Sequence, residues 1–343
     1  MRIAIASFQV PFQQGGATYL ARGLLEALRQ SGHQVELITH PFRFFPDAEV
    51  KRAMDIWAAE DFTVLNLTEP DLVIPLSFPA YYCHHPRKRP WLMHQFRGAY
   101  ELFDPVNSYG ISESTRATIL DLDTRYLAGC ERVFTIADNV TRRLARNNGI
   151  SASTIYHPPP LADAFFSAPA QAFIFAPSRI ETLKRQNLLV HAMALTKSPV
   201  VCVIAGMGGQ FGALRDLVSK LGIEDRVRLV GAISDDEKIT YYAHCLGVFF
   251  GPHDEDYGYV TLEAMLAAKP VITCTDSGGP LEFVEAGENG LIVEPTPISV
   301  ASAIDRLYKD RDNAKRMGKE GRAIYDDLHL SWQVTVETLL EGI

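Results

Sequence analysis

Residues 251–282 read G-P-H-D-E-D-Y-G-Y-V-T-L-E-A-M-L-A-A-K-P-V-I-T-C-T-D-S-G-G-P-L-E. The order is loop, helix, strand, glycine turn. Gly258 marks the loop-to-helix junction, and the apolar stretch 259–268 suits the helix. The run Val271-Ile272-Thr273-Cys274 has the length and β-branched content of a buried strand. Ser277-Gly278-Gly279-Pro280 then turns the chain, and Pro280 fits the first turn of a further helix, where a missing N–H costs little. A strand wedged between two helices is the repeating unit of an α/β domain with a parallel sheet. The same window carries chemistry. Glu255 and Glu263 flank Gly258 and stand about 8–12 Å apart if Glu263 lies one turn into the helix. Each carboxylate could then hold the hydroxyls of a different ring. A glycine turn that opens a helix suits an anion, because free N–H groups and the positive dipole end face outward.

The rhythm of strand and helix extends along the whole chain. Strands are expected at 2–7, 35–39, 63–67, 72–76, 91–94 and 132–136. Helices are expected at 17–30, at 114–127 and from Asp138, as N-cap, to 146. Leu20, Leu24, Leu25 and Leu28 share one helical face, and Gly32 closes that helix. His157-Pro158-Pro159-Pro160 can be neither helix nor central strand, so a linker is expected here. The rhythm then restarts, with strands at 173–176, 200–205, 227–230, 247–250 and 271–274. Helices are expected at 186–195, 211–221, 235–244 and 259–268, and the end is helical at 298–308, 312–328 and 332–341. The expectation is two doubly wound Rossmann-like domains facing a cleft, 1–162 and 163–330, with 331–343 a helix that crosses back to the first.

Composition narrows the function class. The 343 residues carry a net charge of −8, with 47% hydrophobic and 22% charged residues. That balance belongs to an ordinary globular protein and argues against a general nucleic-acid binder. The five cysteines are scattered without a C-x-x-C pair, which reads as buried reduced thiols. The first residues meet Ser7 too early for a signal peptide, and no apolar run is long enough to span a bilayer. The expected location is the cytoplasm. Pro41-Phe42-Arg43-Phe44-Phe45-Pro46 and Arg87-Lys88-Arg89 permit a peripheral contact with the cytoplasmic membrane face, and ordinary packing and solvation explain them equally. His84-His85 with the adjoining basic residues reads as a basic surface loop.

Other candidate residues sit at the carboxyl ends of expected strands, where such sheets bind ligands. Arg179 and Lys184 follow strand 173–176 and suit a diphosphate. Gly15-Gly16 lies between the first strand and helix, where backbone can approach a ligand, although it is no G-x-G-x-x-G. His94 ends strand 91–94 and is open to either a site or a structural role. Asp254 and Asp256 flank Glu255, but with two cations already available to phosphate no metal is expected. Asp121/Asp123 and Asp310/Asp312 fall in or beside helices and are discounted.

Together these residues resemble the retaining nucleotide-sugar glycosyltransferases of family 4, which have the GT-B fold. The specific block is Glu255-x7-Glu263, then Pro270-Val271-Ile272 and Gly278-Gly279-Pro280-Leu281-Glu282. Gly15-Gly16, Gly32-His33-x-Val35, Arg179-x4-Lys184, Gly206-x-Gly208, Val230-Gly231-Ala232-Ile233 and Gly287-x-x-Gly290 also fit. By resemblance, Arg179 and Lys184 hold the diphosphate and Glu263 the ribose hydroxyls. Glu255 contacts the donor sugar, and His94 faces the transferred group. Gly15, Gly16, Gly278 and Gly279 approach phosphate or sugar, and the backbone at Ala232 and Ile233 reads the base. The resemblance implies a nucleoside-diphosphate-sugar donor, a saccharide or lipid-linked saccharide acceptor in bacterial polysaccharide or glycoconjugate synthesis, and no cofactor or metal. Two positions depart from the pattern: Asp256 stands where glycine is common, and Thr18 where an acid often follows G-G-x. A glycoside hydrolase is the rival for the acid pair alone, but it leaves Arg179 and Lys184 without a role. An epimerase or phosphorylase of that fold, or a noncatalytic nucleotide-sugar binder, is the remaining alternative.

Overall fold

The protein is described by a computed structural model over residues 1–13, 15–104 and 110–343. The chain separates into two units, residues 1–157 with 331–343 and residues 158–330. The first holds β1 (Arg2–Gln9), α1 (Gly16–Gln30), β2 (Gln34–Pro41), α2 (Asp47–Ala59), β3 (Leu72–Pro75), β4 (Trp91–Leu92), α3 (Glu113–Ala128), β5 (Phe134–Thr135), α4 (Asp138–Asn148) and β6 (Ser153–Thr154). The second holds β7 (Phe173–Pro177), α5 (Gln186–Met193), β8 (Val201–Ala205), α6 (Phe211–Leu221), β9 (Val227–Gly231), α7 (Asp235–His244), β10 (Gly247–Phe249), α8 (Tyr259–Leu266), β11 (Val271–Cys274), β12 (Gly290–Val293), α9 (Pro297–Lys309) and α10 (Arg311–Asp327). The last helix, α11 (Trp332–Leu340), belongs to the first unit.

All strand pairs are parallel. In the second unit the order is β12-β11-β10-β7-β8-β9. The chain therefore winds from β7 outward one way, then returns to β10 on the other flank of β7. The reversal between β7 and β10 is the topological switch point at which such sheets bind ligands. The strands are short and almost wholly apolar because helices cover both faces, and Ile174, Cys202, Ile204 and Ile272 are fully buried in the core. In the first unit the orders are β2-β1-β3 and β4-β5-β6. Backbone hydrogen bonds Arg89 N to Val73 O and Met93 N to Leu76 O, both 2.9 Å, join the two at β3 and β4. The reversal here lies between β1 and β3. α1 buries Leu20, Ala21, Leu24, Ala27 and Leu28 on one face.

Several expectations need correction. No strand forms at 63–67, because Asn66 and Leu67 have φ of 47° and 67° and a left-handed turn cannot continue a ladder. The N-cap of α4 is Ala137, and Asp138 is the first helical residue. Pro280 opens only a 3₁₀ turn, Gly279–Glu282, too short for the helix dipole assumed from sequence. α2, β6 and β12 were not anticipated. The basic loop is not a plain surface feature: His85 and Arg89 are buried. Lys88 donates to the carbonyls of Tyr81 and Cys83 at 2.7 and 2.9 Å. Arg89 donates to the carbonyls of Leu339 and Glu341 at 2.9 and 2.8 Å, which fixes α11 to the first unit. Among the described residues no helix is long and apolar enough to cross a membrane.

Candidate active site

The second unit assembles its candidate residues along one edge of its sheet, the carboxyl ends of β7 to β11. Arg179 follows β7 and is exposed. The loop that carries it is shaped by Gly206 and Gly208 after β8. A Cβ on Gly206 would fall 2.0 Å from the carbonyl oxygen of Ser178, and one on Gly208 would fall 2.3 Å from that of Ile180. No other residue lets the two loops pack so closely. The contact is sealed by Ser178 N to Ala205 O and Ile180 N to Met207 O, both 3.0 Å.

Lys184 lies in the 3₁₀ turn Thr182–Lys184 and donates to Oε2 of Glu255, with both side chains largely shielded from solvent. This ion pair spans the switch point, since Lys184 comes from the loop after β7 and Glu255 from the loop after β10. The Glu255 loop is pinned to the loop after β11. Asp254 N and Glu255 N donate to the carbonyls of Asp276 and Ser277, and Gly279 N donates to that of Glu255, each at 2.8 Å. Gly278 takes φ 70° and ψ −122°, a backbone state reserved for glycine. A Cβ on Gly279 would sit 2.6 Å from Asp256 O and 2.7 Å from Tyr257 O. The two glycines thus seat the acidic loop, a local reason for their presence that the sequence did not show.

Glu263 is on α8 and is buried, 6% exposed. Its Oε1 accepts from Lys238 Nζ at 3.0 Å and its Oε2 from Tyr242 OH at 2.7 Å. Lys238 and Tyr242 are four residues apart on α7 and so share a face. That helix begins with a capping box, in which Ser234 Oγ accepts from Glu237 N at 3.2 Å and Glu237 Oε2 accepts from Ser234 N at 2.8 Å. Burial, then the carboxylate of Glu263, hold the Tyr242 hydroxyl well above its usual pKa, so it stays a donor. Each oxygen of Glu263 keeps a further lone pair for another hydroxyl. Ala232 and Ile233, exposed and partly exposed, occupy the turn between β9 and α7 behind Gly231, whose φ is 71°.

In the first unit, Gly15 is the N-cap of α1 with an extended backbone and accepts from Thr18 N at 2.9 Å. Gly16 is its exposed first residue. His94 follows β4 and pairs through Nδ1 with the Gln95 carbonyl at 2.5 Å. Both positions are at carboxyl ends of strands, His94 two strands from the reversal.

Sequence reasoning missed Arg185, Asp276, Lys238, Tyr242 and Asp123. The cap pattern Ser234-x-x-Glu237 placed Lys238 and Tyr242 on one helical face and could have exposed them. Asp123, discounted because it falls in a helix, is fully buried and accepts from Tyr82 OH at 2.6 Å and Tyr100 OH at 2.7 Å. Among the described residues no three His, Cys, Asp or Glu side chains converge to hold a metal ion.

Comparison with known proteins agrees with this geometry. Residues 163–324 match the family described as Glycosyl transferases group 1. The chain is 34% identical over 114 residues to the Dictyostelium discoideum alpha-1,3/1,6-mannosyltransferase ALG2, covering 33% of this chain and 27% of that protein. It is 32% identical over 216 residues to a Mycobacterium tuberculosis GDP-mannose-dependent alpha-(1-6)-phosphatidylinositol monomannoside mannosyltransferase, covering 55% and 56%. The match thus spans about a quarter to just over half of these relatives. The crystal structure of Anabaena HepE in complex with UDP superimposes with a TM-score of 0.75 at 18% identity, covering 100% of both chains. The chain therefore has the GT-B fold and carries, over residues 163–324, a domain of the group 1 glycosyl transferase family.

Proposed function

We propose that the protein transfers a sugar from a nucleoside-diphosphate-sugar to an acceptor hydroxyl, with retention of anomeric configuration. The observation that carries the reading is the switch-point cluster: Lys184 bound to Glu255, Arg179 exposed in the loop after β7, and Glu263 oriented by Lys238 and Tyr242 on the helix that follows β10. A diphosphate needs cations, a ribose needs an acceptor of hydroxyl protons, and a sugar needs a further acid; the cluster offers each. In this scheme Arg179 and Lys184 hold the diphosphate and stabilise the charge that develops as it leaves. Glu263 accepts from the ribose hydroxyls, Glu255 from the sugar. The carbon–oxygen bond to the diphosphate breaks, the acceptor oxygen bonds to the same face of the sugar, and the departing phosphate takes the acceptor proton. No cofactor is required, and we take the transfer as metal-independent.

UDP-sugars and GDP-mannose are the donors to test, from the ligand of the HepE structure and the name of the mycobacterial relative. We assign the acceptor, a saccharide or lipid-linked saccharide of bacterial glycoconjugate synthesis, to the first unit, working on the cytoplasmic side. Exposed Phe45 and half-exposed Phe44 support an acceptor or a membrane surface with an apolar part. The test is nucleotide release from a donor panel, followed by NMR of the product. Release with a retained anomeric centre supports the reading. An inverted product, or no binding of any nucleotide-sugar, overturns it.

A further inference from the structure

Arg185 was not among the residues expected to matter. It is a non-glycine residue in the left-handed region, φ 51° and ψ 37°, a conformation that costs a branched or long side chain about 1 kcal/mol or more. Its side chain shows what sustains that backbone. Nε donates to Gly251 O at 2.8 Å and Nη2 to Pro252 O at 2.6 Å. Nη1 and Nη2 then grip Asp276 through Oδ2 and Oδ1 at 2.8 and 2.7 Å. The guanidinium is largely shielded, and its bonds hold the Asp276 carboxyl below the usual carboxylate range. His253 adds Nδ1 to Asp276 Oδ2 at 3.3 Å. One side chain thus ties the loops after β7, β10 and β11 together, with four donated bonds in the fixed plane that only arginine provides. Lys184, next to Arg185 in sequence, and Glu255, three residues beyond Pro252, are the two ends of the ion pair across the switch point.

We propose that Arg185 is a positioning residue: its clamp on Gly251, Pro252 and Asp276 sets Glu255 where it meets the sugar of the donor, without contributing to the hold on the nucleotide. The proposal rests on the transferase reading, and the site it completes is the sugar end of that cluster. Misplacement of such a group by about 1 Å is enough for large losses.

The test compares wild type with Arg185→Gly, Arg185→Lys and Asp276→Asn in the full chain. Glycine removes the guanidinium and also relieves the left-handed backbone, so the fold is spared that cost. Calorimetric titration with UDP and UDP-glucose, and with GDP and GDP-mannose, gives the gain in affinity due to the sugar. Amide hydrogen exchange of residues 253–258 in the free protein reports the loop itself. The expected result is nucleotide affinity within about threefold of wild type, loss of the sugar's gain in Arg185→Gly and most of it in Arg185→Lys, and faster exchange. Adding Asp276→Asn to Arg185→Gly should cost little more, since the Arg185–Asp276 contact is already gone. A retained sugar gain, or nucleotide affinity falling as far as sugar affinity, overturns the positioning role. If wild type binds neither pair, the transferase reading fails; unchanged exchange in Arg185→Gly then overturns the clamp separately, whereas faster exchange upholds it.

Discussion

The hydroxyl of Tyr242 donates to Oε2 of Glu263 at 2.7 Å, with both side chains buried. A hydrogen bond to a buried charged group contributes about 1.5–3 kcal/mol, so Tyr242→Phe should lower stability by about that amount in a denaturant titration. It should also loosen Glu263, now held by Lys238 alone. The expected signature is a smaller preference for ribonucleotides over their deoxyribose counterparts, and Glu263→Gln should reduce that preference further. Equal loss of affinity for both sugars would contradict the role given to Glu263.

Lys184→Met removes the ammonium that faces Glu255. A carboxylate then remains in a mostly shielded place with a lost charged partner. We expect destabilisation of about 1–3 kcal/mol and nucleoside-diphosphate binding weaker by about tenfold or more, from the loss of one charge-assisted contact. Binding of the nucleoside without phosphates should be unchanged. Isothermal titration of the two ligands separates the effects.

The glycines of the turn after β11 make a steric prediction. Gly279→Ala drives a Cβ to within 2.6 Å of the Asp256 carbonyl oxygen, and overpacking against backbone costs about 1–3 kcal/mol. Gly212, on α6, has nothing within 4 Å of a Cβ, so Gly212→Ala should instead stabilise by about 0.5–1 kcal/mol through helix propensity. Melting temperatures of the two variants should move in opposite directions.

Much of this architecture was readable because strands covered on both faces are continuous apolar runs. β7, β8, β9, β10 and β11 are short, largely apolar runs separated by helices, and they fell within a residue or two of their places. The strand expected at 63–67 failed for a local reason, the left-handed backbone of Asn66 and Leu67, which an apolar alternation cannot reveal. Arg179, Lys184 and Glu255 were placed after strands, and Glu263 in the helix beyond Gly258, and the structure puts them there. Arg185, Asp276, Lys238 and Tyr242 were not, since their roles come from contacts between loops or helices distant in sequence. Arg89 shows the same limit: it reads as a surface cation, yet its hydrogen bonds hold the carbonyls of the last helix.

Asp123 gives a prediction in pH. Burial pushes its carboxyl up to about 6, against the opposing pull of the Tyr82 and Tyr100 hydroxyls that donate to it. The folded state thus binds the proton more tightly than the unfolded chain, whose aspartate titrates at about 3.9. Stability from this group is fully present below pH 4 and is lost as pH rises through about 6, a change of about 3 kcal/mol at most by linkage. Asp123→Asn should flatten the stability profile between pH 4 and 6, measured by urea unfolding at each pH. An unchanged profile would show that another group sets it.

The most direct measurement is titration of the full chain with UDP-glucose and GDP-mannose, alongside Arg179→Ala and Glu263→Ala. The expected result is binding of at least one donor by wild type, weaker by about tenfold or more in each variant, with the fold intact by circular dichroism. Absence of binding to either donor, or binding indifferent to both substitutions, would contradict the assignment of the switch-point cluster as a nucleotide-sugar site.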